Sequence, residues 1–182
     1  MSGNMKNIEV ESRAFLSDDE YARILNFMET NAEHVKNDEQ ETVYFSGEKD
    51  VRIQKNGSCA KIILKDGKIH EDYREEIEVK FRKEDFDNMV AIVCASGSEI
   101  EIKWFRKRKE FLWKGTKVCI DRTKGYGDII EIEILCGEEV VSDARKKVAE
   151  IMKELKIAQT PKYVFEERFN YYKKSWRRLV GD

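Results

Sequence analysis

The 182-residue sequence predicts an α+β fold, an antiparallel β-barrel of about eight strands with flanking helices. Three observations lead there. Short segments that alternate apolar and polar residues follow one another in hairpin order, the pattern of half-buried antiparallel strands. Four other stretches repeat apolar residues at helical spacing. There is no βαβ rhythm, no Gly-rich phosphate loop, and no Ser-His-Asp or Cys-His arrangement.

The first strand is Ile8-Glu9-Val10-Glu11-Ser12-Arg13, in which Glu9, Glu11 and Arg13 share a face opposite Ile8 and Val10. Ser17-Asp18-Asp19-Glu20 is a capping box. The helix it opens is expected to run to about His34 and to bury Tyr21, Ile24, Leu25 and Met28. Strands are predicted at Thr42–Phe45, Asp50–Lys55, Cys59–Lys65 and Glu75–Phe81, with Asn56-Gly57 and Asp66-Gly67 as separators. A second helix covers Lys83–Ala95. Strands follow at Glu99–Lys109, Glu110–Trp113, Lys117–Asp121 and Asp128–Leu135. Ser142–Leu155 is helical, with Val148, Ile151, Met152 and Leu155 as its apolar stripe. Pro161, the sole proline, precedes a last helix from about Tyr163 to Leu179. There Phe165, Phe169, Tyr172 and Trp176 form a packing stripe, and the basic residues are its solvated face rather than a nucleic-acid patch. Nothing resembles a linker, so residues 1–182 are expected to form one domain.

Composition narrows the function. Lys+Arg total 34 against 36 Asp+Glu, so the charge is high but balanced. A general nucleic-acid binder would show a basic excess. Cys59, Cys94, Cys119 and Cys136 are widely spaced, and His34 and His70 are isolated, which argues against zinc and for a reducing compartment. No stretch is apolar enough for a signal peptide or membrane span, so the expected location is cytoplasmic.

The strongest chemical signal is a second Glu-x-Glu strand. In Gly127-Asp128-Ile129-Ile130-Glu131-Ile132-Glu133-Ile134, Glu131 and Glu133 point one way and the isoleucines at 130, 132 and 134 the other. Like-charged pairs cost free energy unless a cation lies between them. The same period pairs Arg52 with Gln54, Lys61 with Lys65, Glu76 with Glu78 and Lys80, Arg106 with Arg108, and Cys119 with Asp121. Each pattern also fits a strand face that simply meets water. If the strands close into a barrel with apolar faces outward, these residues line a lumen with acidic and basic sectors. A polyphosphate held by Mg²⁺ or Mn²⁺ needs that combination.

These residues resemble the CYTH superfamily, the triphosphate tunnel metalloenzymes, across nearly the whole chain. Glu9-Val10-Glu11-Ser12-Arg13 is similar to that family's Glu-x-Glu-x-Lys signature, with Arg13 in place of Lys. Gln40–Phe45, Val51–Gln54, Ile63–Lys65 and Arg74–Glu78 resemble its successive Tyr-, Arg-, Lys- and Glu-bearing strands. Arg106-Lys107-Arg108, Cys119-Ile120-Asp121 and Gly125–Glu133 resemble its closing succession. Gln54 stands where many members carry a second basic residue, and Glu41 is shifted by one from the family's acidic position.

The resemblance implies a tunnel fold and metal ligation by Glu9, Glu11, Glu131 and Glu133. It implies triphosphate binding by Arg13, Arg52, Lys65, Arg106 and Arg108. Glu76, Glu78 and Asp121 would be catalytic lumen residues that position metal, basic side chains or attacking water. The implied activity is metal-dependent hydrolysis of a nucleoside, organic or inorganic triphosphate. The alternatives are class IV adenylyl cyclase chemistry, which converts ATP to cyclic AMP and pyrophosphate, and non-catalytic nucleotide or polyphosphate binding. A monomer or a homodimer is expected, with no membrane or nucleic-acid partner.

Overall fold

The computed structural model describes residues 8–66 and 75–181. Its elements in chain order are β1 (Ile8–Leu16), α1 (Asp18–Asn31), β2 (Glu33–Phe45), β3 (Asp50–Lys55), β4 (Ala60–Asp66), β5 (Glu75–Phe81), α2 (Phe86–Ala95), β6 (Ile100–Trp113), β7 (Thr116–Thr123), β8 (Gly127–Cys136), α3 (Val141–Glu154) and α4 (Lys162–Val180). The α+β class is as the alternation predicted. The eight strands form one sheet in the order β1-β8-β7-β6-β2-β3-β4-β5. Among the described residues β1 and β5 are its two ends, and no strand pairing closes the sheet into a ring. The described chain divides into two compact units: residues up to Asn37 with Arg108–Arg168, and Asp38–Lys107 with the chain from Phe169.

In the first unit, β1 alternates strictly. Val10, Ser12, Ala14 and Leu16 are buried, while Glu9, Glu11 and Arg13 are exposed. Val10, Ala14 and Leu16 join Ile130 and Ile132 of β8 and Val118 and Ile120 of β7 in one core. Ile24 and Met28 from α1, and Val148, Ile151 and Met152 from α3, cover that apolar face. Each such side chain fully withdrawn from water contributes roughly 1.5–3 kcal/mol. The helices therefore lie on one side of these strands, and the charged positions are left on the other.

The capping box forms as predicted. The Ser17 hydroxyl accepts the Glu20 N–H, and Glu20 accepts from the Ser17 N–H. α1 ends at Asn31, however, and His34 lies in β2. Strand β2 is also far longer than the predicted Thr42–Phe45, because exposed, charged residues 33–39 carry no apolar alternation to announce it. The two segments predicted at 99–113 are one strand, β6. Its turn into β7 is the pair Lys114 and Gly115, with φ of 51° and 70°, the doubly left-handed geometry that matches the twist of a tight hairpin.

In the second unit, Val43, Phe45, Ile53, Ala60 and Phe86 form a smaller core, with α2 lying against β3. Two members of the predicted α4 stripe, Tyr172 and Trp176, are buried, and the Tyr172 ring meets Trp104 edge-on at 5.1 Å. The Tyr172 hydroxyl donates to the Lys103 carbonyl oxygen at 2.7 Å. In the first unit, the start of α4 brings Phe165 into a 4.5 Å stack on Phe15. No helix among the described residues is long and apolar enough to cross a membrane.

Candidate functional site

The exposed face of β1 meets the corresponding face of β8 in antiparallel register. Glu11 is opposite Glu133, Arg13 opposite Glu131, and Glu9 opposite Leu135. On the other side of β8, Lys117 is opposite Glu133 and Cys119 opposite Glu131. Directly opposed residues lie about 4.5–5.5 Å apart at Cα. Glu9, Glu11, Glu131 and Glu133, expected to act together, are thus placed on one face of two paired strands. Asp121 belongs to the same face of β7, two residues beyond Cys119.

The carboxylates crowd one another enough to change their proton affinity. Burial, the hydrogen bond shared with Glu131, and the charges of Glu131 and Glu9 push Glu11 up from 4.5 to about 7, against the opposing pull of Arg13. Burial also raises Glu133, with the Glu9 and Glu131 charges acting the same way and Lys117 opposing. Lys117 forms an ion pair with Glu133. Arg13 Nε lies 3.4 Å from Glu11, and its guanidinium stands 5.2 Å from the Phe165 ring centroid.

Arg108 is the most enclosed cation of this face. Its Nε and Nη2 each donate to Asp121 at 2.7 Å, and Nη2 also donates to Glu131 at 2.6 Å. Burial opposes its charge, but Asp121 and Glu131 outweigh burial and hold Arg108 above its ordinary range. Its Nη1 makes no hydrogen bond among the described residues, so a donor pair stays available for an incoming oxygen. Burial raises the Cys119 thiol to about 12, which makes it an inert neighbour at neutral pH.

Among the described residues no three His, Cys, Asp or Glu side chains form a ready-made metal cage. Glu131 and Glu133 are turned to Arg108 and Lys117 instead. The donor chemistry nevertheless fits a hard divalent cation. All of the acids offer oxygen, and burial together with the neighbouring Glu131 and Glu9 raises the proton affinity of Glu11.

The remaining predicted residues lie in the second unit. Arg52 donates to both oxygens of Asp50, at 2.7 and 2.5 Å, and stacks over Tyr44 at 4.5 Å. Arg106 donates through Nε to Gln40 Oε1 at 2.9 Å. Glu78 receives Lys61 at 2.7 Å, and that hydrogen bond lowers its pKa. Lys65 and Glu76 are backbone partners across β4 and β5; their side chains, like Arg74, lie outside the described residues. Gln54 donates to Thr42 Oγ1 at 3.0 Å and caps the polar row of that unit.

Sequence reasoning passed over Lys117, Asp50 and Gln40. Lys117 had a legible signal, since it alternates with Cys119 and Asp121. The other two become visible only as partners of Arg52 and Arg106.

A family model described as the CYTH domain matches residues 7–164. No curated protein matches the chain. Among solved structures, a conserved hypothetical protein from Pyrococcus furiosus is 27% identical, with a TM-score of 0.65 over 82% of this chain and 91% of that one. A candidate adenylate cyclase from Vibrio parahaemolyticus shares the fold at 15% identity, with a TM-score of 0.66 over 90% of this chain and 98% of that one. A candidate adenylyl cyclase from Hippeastrum, described as having a dominant triphosphatase activity, shares it at 16% identity, with a TM-score of 0.64 over 87% of this chain and 94% of that one.

Proposed function

The chain belongs to the CYTH family, and from that premise we propose that it is a metal-dependent phosphohydrolase acting on a nucleoside, organic or inorganic triphosphate. The observation that carries this reading is the β1–β8 register, which sets two Glu-x-Glu pairs on one face. Glu9, Glu11, Glu131 and Glu133 would hold Mg²⁺ or Mn²⁺. When bound, that cation supplies charge neutralisation to the phosphate oxygens and lowers the pKa of a coordinated water.

The chain's own contribution is positioning and electrostatics, which dominate phosphoryl transfer. Arg108 would offer its Nη1 to a phosphate oxygen. Asp121 is the positioning residue that fixes the guanidinium plane through two hydrogen bonds. Arg13, tethered to Glu11, presents a second cation on the same face. Lys117 neutralises Glu133 and so tunes how much negative charge the site shows. Water attack on the terminal phosphorus then yields orthophosphate and the diphosphate. Phosphate binding by Arg52, Lys65 and Arg106, and the positioning roles of Glu76 and Glu78, are proposed on the family resemblance alone.

Incubating the purified protein with ATP or tripolyphosphate and Mg²⁺ or Mn²⁺, followed by chromatography, tests the reading. Orthophosphate with the matching diphosphate is expected, and Glu131→Gln should lower turnover at least about 100-fold while the fold persists. Cyclic AMP with pyrophosphate would replace hydrolysis by cyclase chemistry, a reaction named for the Vibrio and Hippeastrum neighbours. ATP association without any product would identify a binder.

A further inference from the structure

We infer that β5 is a self-association surface: its free edge pairs antiparallel with the same edge of a second copy, about a two-fold axis through Val79. The strand stands at the end of the sheet order and is hydrogen-bonded on one side to β4. Among the described residues no strand pairs with its other edge. Its apolar side is also bare, with Ile77 53% and Val79 57% exposed. Ile92, on the helix α2 of the same unit, is another large apolar residue left exposed. Exposed edges with apolar residues are templates for strand addition, and chains commonly block them with charge. Lys80 would serve as such a block only if it met like charge.

The sequence of the strand decides what it meets. A second copy must align residues of equal parity, or the apolar and charged faces are exchanged. Centring the pair on Glu78 opposes Glu78 to itself, and centring it on Lys80 opposes Lys80 to itself. Centring on Ile77 brings position 78 opposite position 76, acid against acid, and centring on Phe81 leaves no residue but Phe81 paired within the strand. Centring on Val79 places Glu78 against Lys80, Ile77 against Phe81 and Val79 against Val79, all within the strand. Glu78 and Lys80 then each meet an opposite charge, twice by symmetry. A closed two-fold pairing of this kind consumes both edges and cannot propagate.

Sedimentation equilibrium across micromolar concentrations tests the pairing. The parent should dimerise, and Lys80→Glu should weaken the dimer about tenfold by setting like charges opposite one another at two symmetric places. The swapped variant Glu78→Lys/Lys80→Glu should restore it. Lys80 is 71% exposed, and circular dichroism should show the variant folded. Val79→Cys should give a reductant-reversible covalent dimer, since opposed Cα atoms about 4.5–5.5 Å apart can be bridged. Ile77→Cys should not, because its symmetry mate lies about 13 Å along the strand; the parent, with its four native cysteines, is the control. A monomeric parent at about 200 µM overturns the inference. So does a dimer indifferent to Lys80→Glu or without the Val79→Cys cross-link.

Discussion

Glu11→Gln isolates the crowding of the carboxylate face, because it keeps the side-chain shape and removes the ionisable group. Glu11 titrates near 7 in the folded protein rather than at 4.5. A raised carboxyl contributes its stability fully below the unfolded value and loses it as the pH rises through the folded one. The window is therefore about pH 4.5–7. At about 1.4 kcal/mol per pH unit, the ceiling is about 3.4 kcal/mol. The side chain is 35% exposed, and solvent screening reduces the effect to about 1–2 kcal/mol. Urea unfolding of parent and variant in chelator, at pH 5, 6, 7 and 8, measures it. The parent should lose about 1–2 kcal/mol relative to Glu11→Gln between pH 5 and pH 8. Adding Mg²⁺ or Mn²⁺ at pH 8 should return that stability to the parent more than to the variant. Parallel pH profiles for the two proteins would refute the reasoning, since they would mean that Glu11 ionises without cost.

Two further outcomes follow from other contacts. Arg108→Met removes two hydrogen bonds and the ion pair from Asp121, which is 5% exposed, and should cost about 3 kcal/mol in urea unfolding at pH 8; adding Asp121→Asn should recover part of it, and a single-variant loss below about 1 kcal/mol would contradict the geometry. Ser17→Ala removes the cap of α1 and should cost about 1 kcal/mol; because the Ser17 hydrogen bonds lower the pKa of Glu20, that deficit should narrow as Glu20 protonates in acid, and a pH-independent deficit would assign it to something other than the capping box.

Much of the fold was legible because its strands keep one apolar face. Strands β1, β3, β5, β7 and β8 fall within a few residues of their predicted bounds, since each alternates apolar and polar residues in sequence, β5 included although its Ile77 and Val79 are exposed. The first half of β2 was illegible for the converse reason: residues 33–39 are charged and exposed, so no face is selected. Closure of the sheet was equally out of reach, because periodicity within a strand says nothing about which strands end a sheet. For the site, Glu9 with Glu11 and Glu131 with Glu133 could be read as pairs. Their meeting could not, because it depends on the β1–β8 register. The same holds for the partners of the basic residues. Arg108 and Asp121 were each legible on a charged face, but their contact, like the capture of Glu133 by Lys117, depends on pairing between strands.

The counterions explain how such a face can fold before any ligand arrives. Among its described residues, Glu9, Glu11, Asp121, Glu131 and Glu133 are set against Arg13, Lys117 and Arg108, an excess of two negative charges when all are ionised. Without the three basic residues the repulsion would be spread over five acids on adjacent strands, and the register that joins β1 to β8 would itself be penalised. With them, the residual charge is small enough for one proton on Glu11, bound below about pH 7, to cover half of it. A divalent cation carries the charge that covers all of it. On the function proposed above, the basic side chains that let the acids coexist would also meet the triphosphate, while the carboxylates would hold the metal. Folding stability and ligand affinity thus rest on one set of charges, and substitutions here should move both.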